Sequence, residues 1–93
     1  MDFEWDPVKD DTNEQKHGVS FAEAMTVFAD PLALTGYDPD HSDNEDRYIT
    51  MRMSADPRLM VVSHTDRDDK IQIISARLAS RGERKDYEDG NFP

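Results

Sequence analysis

The 93-residue chain contains no cysteine, so disulfides, thiolate metal sites and thiol nucleophiles are all excluded. No apolar run approaches the roughly 20 residues of a membrane span. The opening MDFEWDPVKDD has neither the basic start nor the apolar core of a secretory signal. These absences predict a soluble, cytoplasmic protein. Large apolar residues are scarce as well: Leu, Ile, Val and Phe fill only 17 positions, which limits the core that so short a chain encloses. We expect one domain spanning 1–93, with stability that leans on few contacts or on a partner.

Positive charge is in shortest supply in the first half. Residues 1–46 hold 13 acids against Lys9 and Lys16, whereas residues 47–93 hold 9 bases against 8 acids, within a formal net charge of −10. Such a balance disfavours indiscriminate attraction to nucleic acid, although a local basic cleft still focuses a favourable field. It also suits a basic protein partner.

What is present is a series of local signals. Phe3 to Trp5 reads as a short strand. Asp6-Pro7 then supplies an N-cap and a first helical residue for a helix over 7–16, which Gly18 ends. Ser20 and Glu23 match a capping box opening a second helix over 21–29, with Phe21, Ala24, Met25 and Phe28 on one face. From Leu32 the pattern changes to strand-like runs separated by turns. ALTGY comes first, and DRYITMRMS alternates Ile49, Met51 and Met53 against Tyr48, Thr50 and Arg52. RLMVVSHT is apolar on both faces, as in a central strand. KIQIISA resumes alternation, with Ile71 and Ile73 opposite Gln72 and Ile74. Ser80 and Glu83 form a second capping-box match opening a helix over 81–89. The predicted fold is α+β, in the order β-α-α-β-β-β-β-α: an antiparallel sheet of four to five strands packed by two N-terminal helices and one C-terminal helix.

The segments FEWDP, KHGVSF, FADPLAL, YDPDHSDNEDRYI and IISARLASRGERKDYE, taken in order over roughly residues 3–88, resemble the BrnT family of toxins from bacterial toxin–antitoxin pairs. That family is similar in fold to the RelE-type ribonucleases. The resemblance implies metal-independent endoribonuclease activity that inhibits translation, with no cofactor. It also implies neutralisation by a ribbon–helix–helix antitoxin, through which alone the toxin meets DNA. Gln72 stands where related members carry Arg, and Leu78 and Gly82 where basic residues are usual. A catalytically weakened module, acting only through an antitoxin complex in transcriptional autoregulation, is therefore the alternative. A stand-alone acidic nucleic-acid mimic ignores the basic C-terminal stretch.

RNA can be cut when its own 2′-hydroxyl attacks the adjacent phosphate, which requires proton transfer and cations for the developing charge. Arginine suits the second role because its planar fork holds two phosphate oxygens. Arg77 falls on the family's SAR motif and Arg47 on its ED-R-Y motif, so these two and Arg81 are the candidate phosphate clamp. The competing reading pairs Arg81 and Arg84 with helix carboxylates. His17 and His64 are candidate proton carriers; helix capping for His17 and a hydrogen-bonded structural role for His64 compete. Glu83 or Tyr87 are substitutes should neither act. Lys16, Tyr48 and Arg52 are candidate substrate contacts, Lys16 equally a partner for the helix dipole. The run DPDHSDNED imitates a calcium loop at Asp38, Asp40, Ser42 and Asn44. It lacks the sixth-position Gly, replaced by Asp43, and the twelfth-position Glu, replaced by Ile49. No metal site is expected.

Overall fold

The computed structural model describes residues 2–41 and 45–91. Strand β1 covers Asp2–Glu4, and helix α1 covers Pro7–His17. Asp6 caps α1 by accepting the Val8 N–H at 2.8 Å, and Pro7 occupies the first turn, where its missing N–H costs nothing. The helix stops at Gly18, whose φ of 69° is the left-handed conformation that glycine adopts without strain. Helix α2, Phe21–Thr26, opens on Ser20 and runs on as a 3₁₀ turn, Val27–Ala29. The predicted 21–29 helix is thus real, with a tightened last turn.

Four strands follow: β2 Leu34–Tyr37, β3 Tyr48–Met53, β4 Leu59–Arg67 and β5 Lys70–Leu78, before helix α3, Arg81–Glu88. The five strands form one sheet in the order β1-β5-β4-β3-β2. Neighbours from β2 to β5 are antiparallel, as the sequence predicts. The sheet as a whole is mixed, because β1 joins β5 in parallel. The cause is topological: β1 lies at the far edge from β2, and its direction is set by the long crossover through α1, α2 and the meander. β4 and β5 meet in a two-residue hairpin whose Asp68 and Asp69 both have positive φ, 52° and 66°, the geometry that matches the twist of the flanking strands.

β4 is covered on both faces, as its two-sided apolar pattern predicts. Met60 and Val62 join Val19, Phe21, Ala24, Val27, Ile73 and Ala76 in the main core, with Trp5, Met25 and Phe28 packed against it. Leu59 and Val61 join Met51 in a smaller cluster on the other face, against Ile49, Ala79 and Tyr87 of α3. Only α2 lays an apolar face on the sheet. Helix α1, whose sequence has little to bury, docks instead through the buried Asn13. Its carboxamide donates to the Val19 and Ala76 carbonyls at 2.9 and 2.8 Å and accepts the Ala76 N–H at 3.1 Å.

The strict alternation expected for β5 does not hold. His64 pairs with Ile73 while its neighbour Ser63 pairs with Ser75, so Ile74 is an extra residue, a β-bulge. Ile73 and Ala76 therefore both enter the main core. Ser75 and Arg77 turn to the opposite face, opposite Ser63 and Val61. Without the bulge, the period of two would aim Arg77 into the core beneath α2.

Candidate active site

The bulge delivers Arg77 to the face that α2 leaves open, at the corner where β5 runs into α3. There its Nη1 and Nη2 donate to the two carboxylate oxygens of Glu83 at 2.6 and 2.8 Å. Glu83 is held in place by the capping box: it accepts the Ser80 N–H at 2.9 Å and returns its own N–H to the Ser80 hydroxyl at 3.2 Å. The guanidinium beside it, reinforced by these N–H contacts, pulls the Glu83 carboxyl down to about 2. Both side chains remain in contact with solvent, at 43% and 32% exposure. Arg81, the first residue of α3, is exposed beside this pair and makes no side-chain hydrogen bond or ion pair among the described residues.

Next to the corner, α1 and the bulge enclose an open hollow of about 260 Å³, lined in part by Lys9, Lys16, His17, Ile74 and Ser75. Lys9 and Lys16 are the only lysines of the acidic half, and both reach this one place. Ser75 and Arg77 share a face of β5 two residues apart, about 7 Å along the strand. Lys16 and His17 thus stand beside Arg77, at the edge of the same sheet surface. Lys9 was not singled out in the sequence. Its signal was present, because positions 9, 12, 13 and 16 recur at helical spacing on one side of α1.

Arg47 lies elsewhere. It precedes the row Tyr48–His64–Ile73, whereas Arg77 lies in the row Arg77–Val61–Met51. The two are separated by about 13 Å along the strands and about 10 Å across them. Arg77 and Arg81 come together at the corner, and Arg47 does not join them. Its carbonyl accepts the Asp38 N–H at 2.9 Å, and both residues have further interaction partners.

His64 is placed under α2, on the face opposite Arg77. It is 5% exposed, between the Phe28 ring, edge-on at 4.9 Å, and the Tyr48 ring, stacked at 6.0 Å. Its Nε2 shares a 2.7 Å hydrogen bond with the Thr50 hydroxyl, itself 2.7 Å from the Thr35 hydroxyl. Burial lowers its pKa to about 4, so the ring is neutral at pH 7. Of the two histidines, only His17 stands near the cations. His64 fills the structural role, and Tyr48 packs against it rather than facing Arg77. Arg52 is engaged too: its Nε donates to Asp30 at 2.7 Å and its Nη1 to the Tyr87 hydroxyl. This arrangement ties α3 to the end of the 3₁₀ turn and also occupies Tyr87.

Among the described residues, no group of three or more His, Asp or Glu side chains is arranged to hold a metal ion. The calcium-like run falls partly outside them, at Ser42, Asp43 and Asn44. Likewise among the described residues, no helix is long and apolar enough to cross a membrane.

No curated protein matches the chain. Among solved structures, the ribonuclease toxin BrnT of Brucella abortus, a 1.1 Å crystal structure, superposes with a TM-score of 0.64. The match covers 87% of this chain and 99% of that one at 24% identity, a likeness of fold. The family model for the ribonuclease toxin BrnT of type II toxin–antitoxin systems matches residues 5–83. This span runs from Trp5 through the bulge and Arg77 to Glu83, and the chain belongs to that family of ribonuclease toxins.

Proposed function

We propose that the chain is a cytoplasmic endoribonuclease toxin that cuts RNA by in-line attack of the 2′-hydroxyl on the adjacent phosphate, with no metal taking part, and so inhibits translation. Arg77 and Arg81 hold the reacting phosphate and stabilise its growing charge. His17 moves protons and Lys16 steadies the backbone, while Arg47 contacts a phosphate further along the strand. The reading rests on one observation: the β5 bulge aims Arg77 at the open face, beside the hollow lined by His17 and both lysines of the acidic half. A guanidinium and an imidazole on adjoining surfaces are the combination that phosphoryl transfer to an internal hydroxyl requires.

The neutralising partner is a ribbon–helix–helix antitoxin, and its basic DNA-binding character complements the net charge of −10. DNA is met only through that partner. Expression of the chain alone should slow protein synthesis, and co-expression of the antitoxin should restore it. Arg77→Ala should relieve the effect. Full toxicity of that variant at equal abundance would remove Arg77 from the reaction.

A second reading draws on Glu83. Because Arg77 is engaged by a carboxylate at rest, and because Gln72, Leu78 and Gly82 bring no positive charge, the chain would serve as a weakened module that regulates transcription only within the antitoxin complex. A folded sample that leaves RNA intact at low salt, yet still binds the antitoxin, favours this alternative.

A further inference from the structure

We propose that Glu83 acts as an internal stand-in for the RNA phosphate: its carboxylate fills the forked slot of Arg77 in the resting protein and is exchanged for a phosphate when RNA binds. The inference rests on the reading of Arg77 as a phosphate ligand. Geometry carries it. A carboxylate and a phosphodiester both present two oxygens to a guanidinium fork, and here each oxygen of Glu83 already takes one terminal nitrogen of Arg77, at 2.6 and 2.8 Å. The slot is therefore built and occupied.

Three further features suit exchange. The pair is solvent-accessible on both sides, so an incoming strand can reach it. An exposed ion pair is weak, so displacement is cheap. Glu83 also has somewhere to stay after displacement, since the Ser80 N–H binds it independently of Arg77. The guanidinium thus changes partner while the N-terminus of α3 keeps its cap. Arg81, on the same turn, adds a cation that no carboxylate of the described residues engages.

The capping box provides a clean test, because Gln at the third helical position also completes it, so Glu83→Gln removes the charge and keeps the fold. The probe is a 2′-O-methyl RNA oligonucleotide, which binds without being cut, measured by fluorescence anisotropy. Glu83→Gln should bind about fivefold more tightly than the wild type, the release of a roughly 1 kcal/mol exposed pair. Glu88→Gln, the same charge change at an exposed position of α3, should shift affinity by less than twofold. In an Arg77→Ala background, Glu83→Gln should make no difference.

Equal tightening by Glu88→Gln, or tightening that survives loss of Arg77, reduces the effect to general charge and overturns the inference. So does weaker binding by Glu83→Gln at an unchanged melting temperature. Cleavage of unmodified RNA, followed in parallel, separates the two readings. A wild type that cuts RNA while Glu83→Gln binds no better sinks the stand-in and leaves the ribonuclease. Tighter, Arg77-dependent binding without any cutting does the reverse. No binding by any variant overturns both.

Discussion

Asn13 and Ala76 are bonded as though Asn13 were a residue of a neighbouring strand: its carboxamide accepts the Ala76 N–H and donates to the Ala76 carbonyl. β1 pairs only with residues 70–72 of β5, so beyond them the edge would carry open backbone groups next to the bulge. The side chain of a helix fills that gap and fixes α1, with Lys16 and His17 at its end, against the bulged segment.

Replacing Asn13 with Ala should therefore cost about 2–4 kcal/mol, since it strands buried backbone groups, and chemical denaturation measures it. The loss should exceed that of any exposed substitution on α1. A cost below about 0.5 kcal/mol would mean that α1 is held by other contacts.

The parts of the fold that depend on neighbouring residues were legible in the sequence, and those that depend on distant ones were not. Asp6-Pro7, Ser20 with Glu23 and Ser80 with Glu83 announce three helix starts, because each cap is completed within a turn. The central place of β4 follows from Leu59, Met60, Val61 and Val62, apolar on both faces. Parallel pairing of β1 with β5 has no local signature. Nor does the bulge at Ile74, although two adjacent isoleucines followed by Ser75 and Ala76 break the alternation there. With the bulge unseen, Arg77 could be named but its face could not, and its pairing with Glu83 was missed for the same reason. His64 looked like a proton carrier because its burial depends on α2 and Tyr48, elements distant in sequence.

The His64 ring should titrate near 4 by NMR, against about 6.5 in the unfolded chain. A base whose folded pKa is depressed takes up its proton in the unfolded state first. Stability should therefore be complete above about pH 6.5 and fall as pH drops towards 4, by at most about 3 kcal/mol. A ring titrating near 6.5 with flat stability over that window would contradict the buried, neutral assignment.

The Arg77 and Glu83 pair acts in a lower window. Because the Glu83 carboxyl is depressed from 4.5 to about 2, its contribution is present above pH 4.5 and lost as pH falls through 2. Glu83→Gln should remove that acidic phase from the stability profile while leaving the one above pH 4 intact. An unchanged profile below pH 4.5 would show that the pair does not form in solution.

The β4–β5 hairpin carries two aspartates at positive φ with Asp66 close in sequence, a costly concentration of like charge. Asp69→Gly should stabilise the protein by about 0.5–1 kcal/mol, since glycine accepts that conformation freely. A lower melting temperature would indicate that the Asp69 side chain makes a contact worth more than its strain.

The most direct test of the account is the fate of a short RNA mixed with purified protein at low salt, compared with the same strand lacking 2′-hydroxyls and with the Arg77→Ala protein. The account predicts cutting of the RNA to 2′,3′-cyclic phosphate ends and none of the deoxy strand, with a loss of about 100-fold or more in Arg77→Ala. Cutting of the deoxy strand, or undiminished cutting by a folded Arg77→Ala protein, would contradict it.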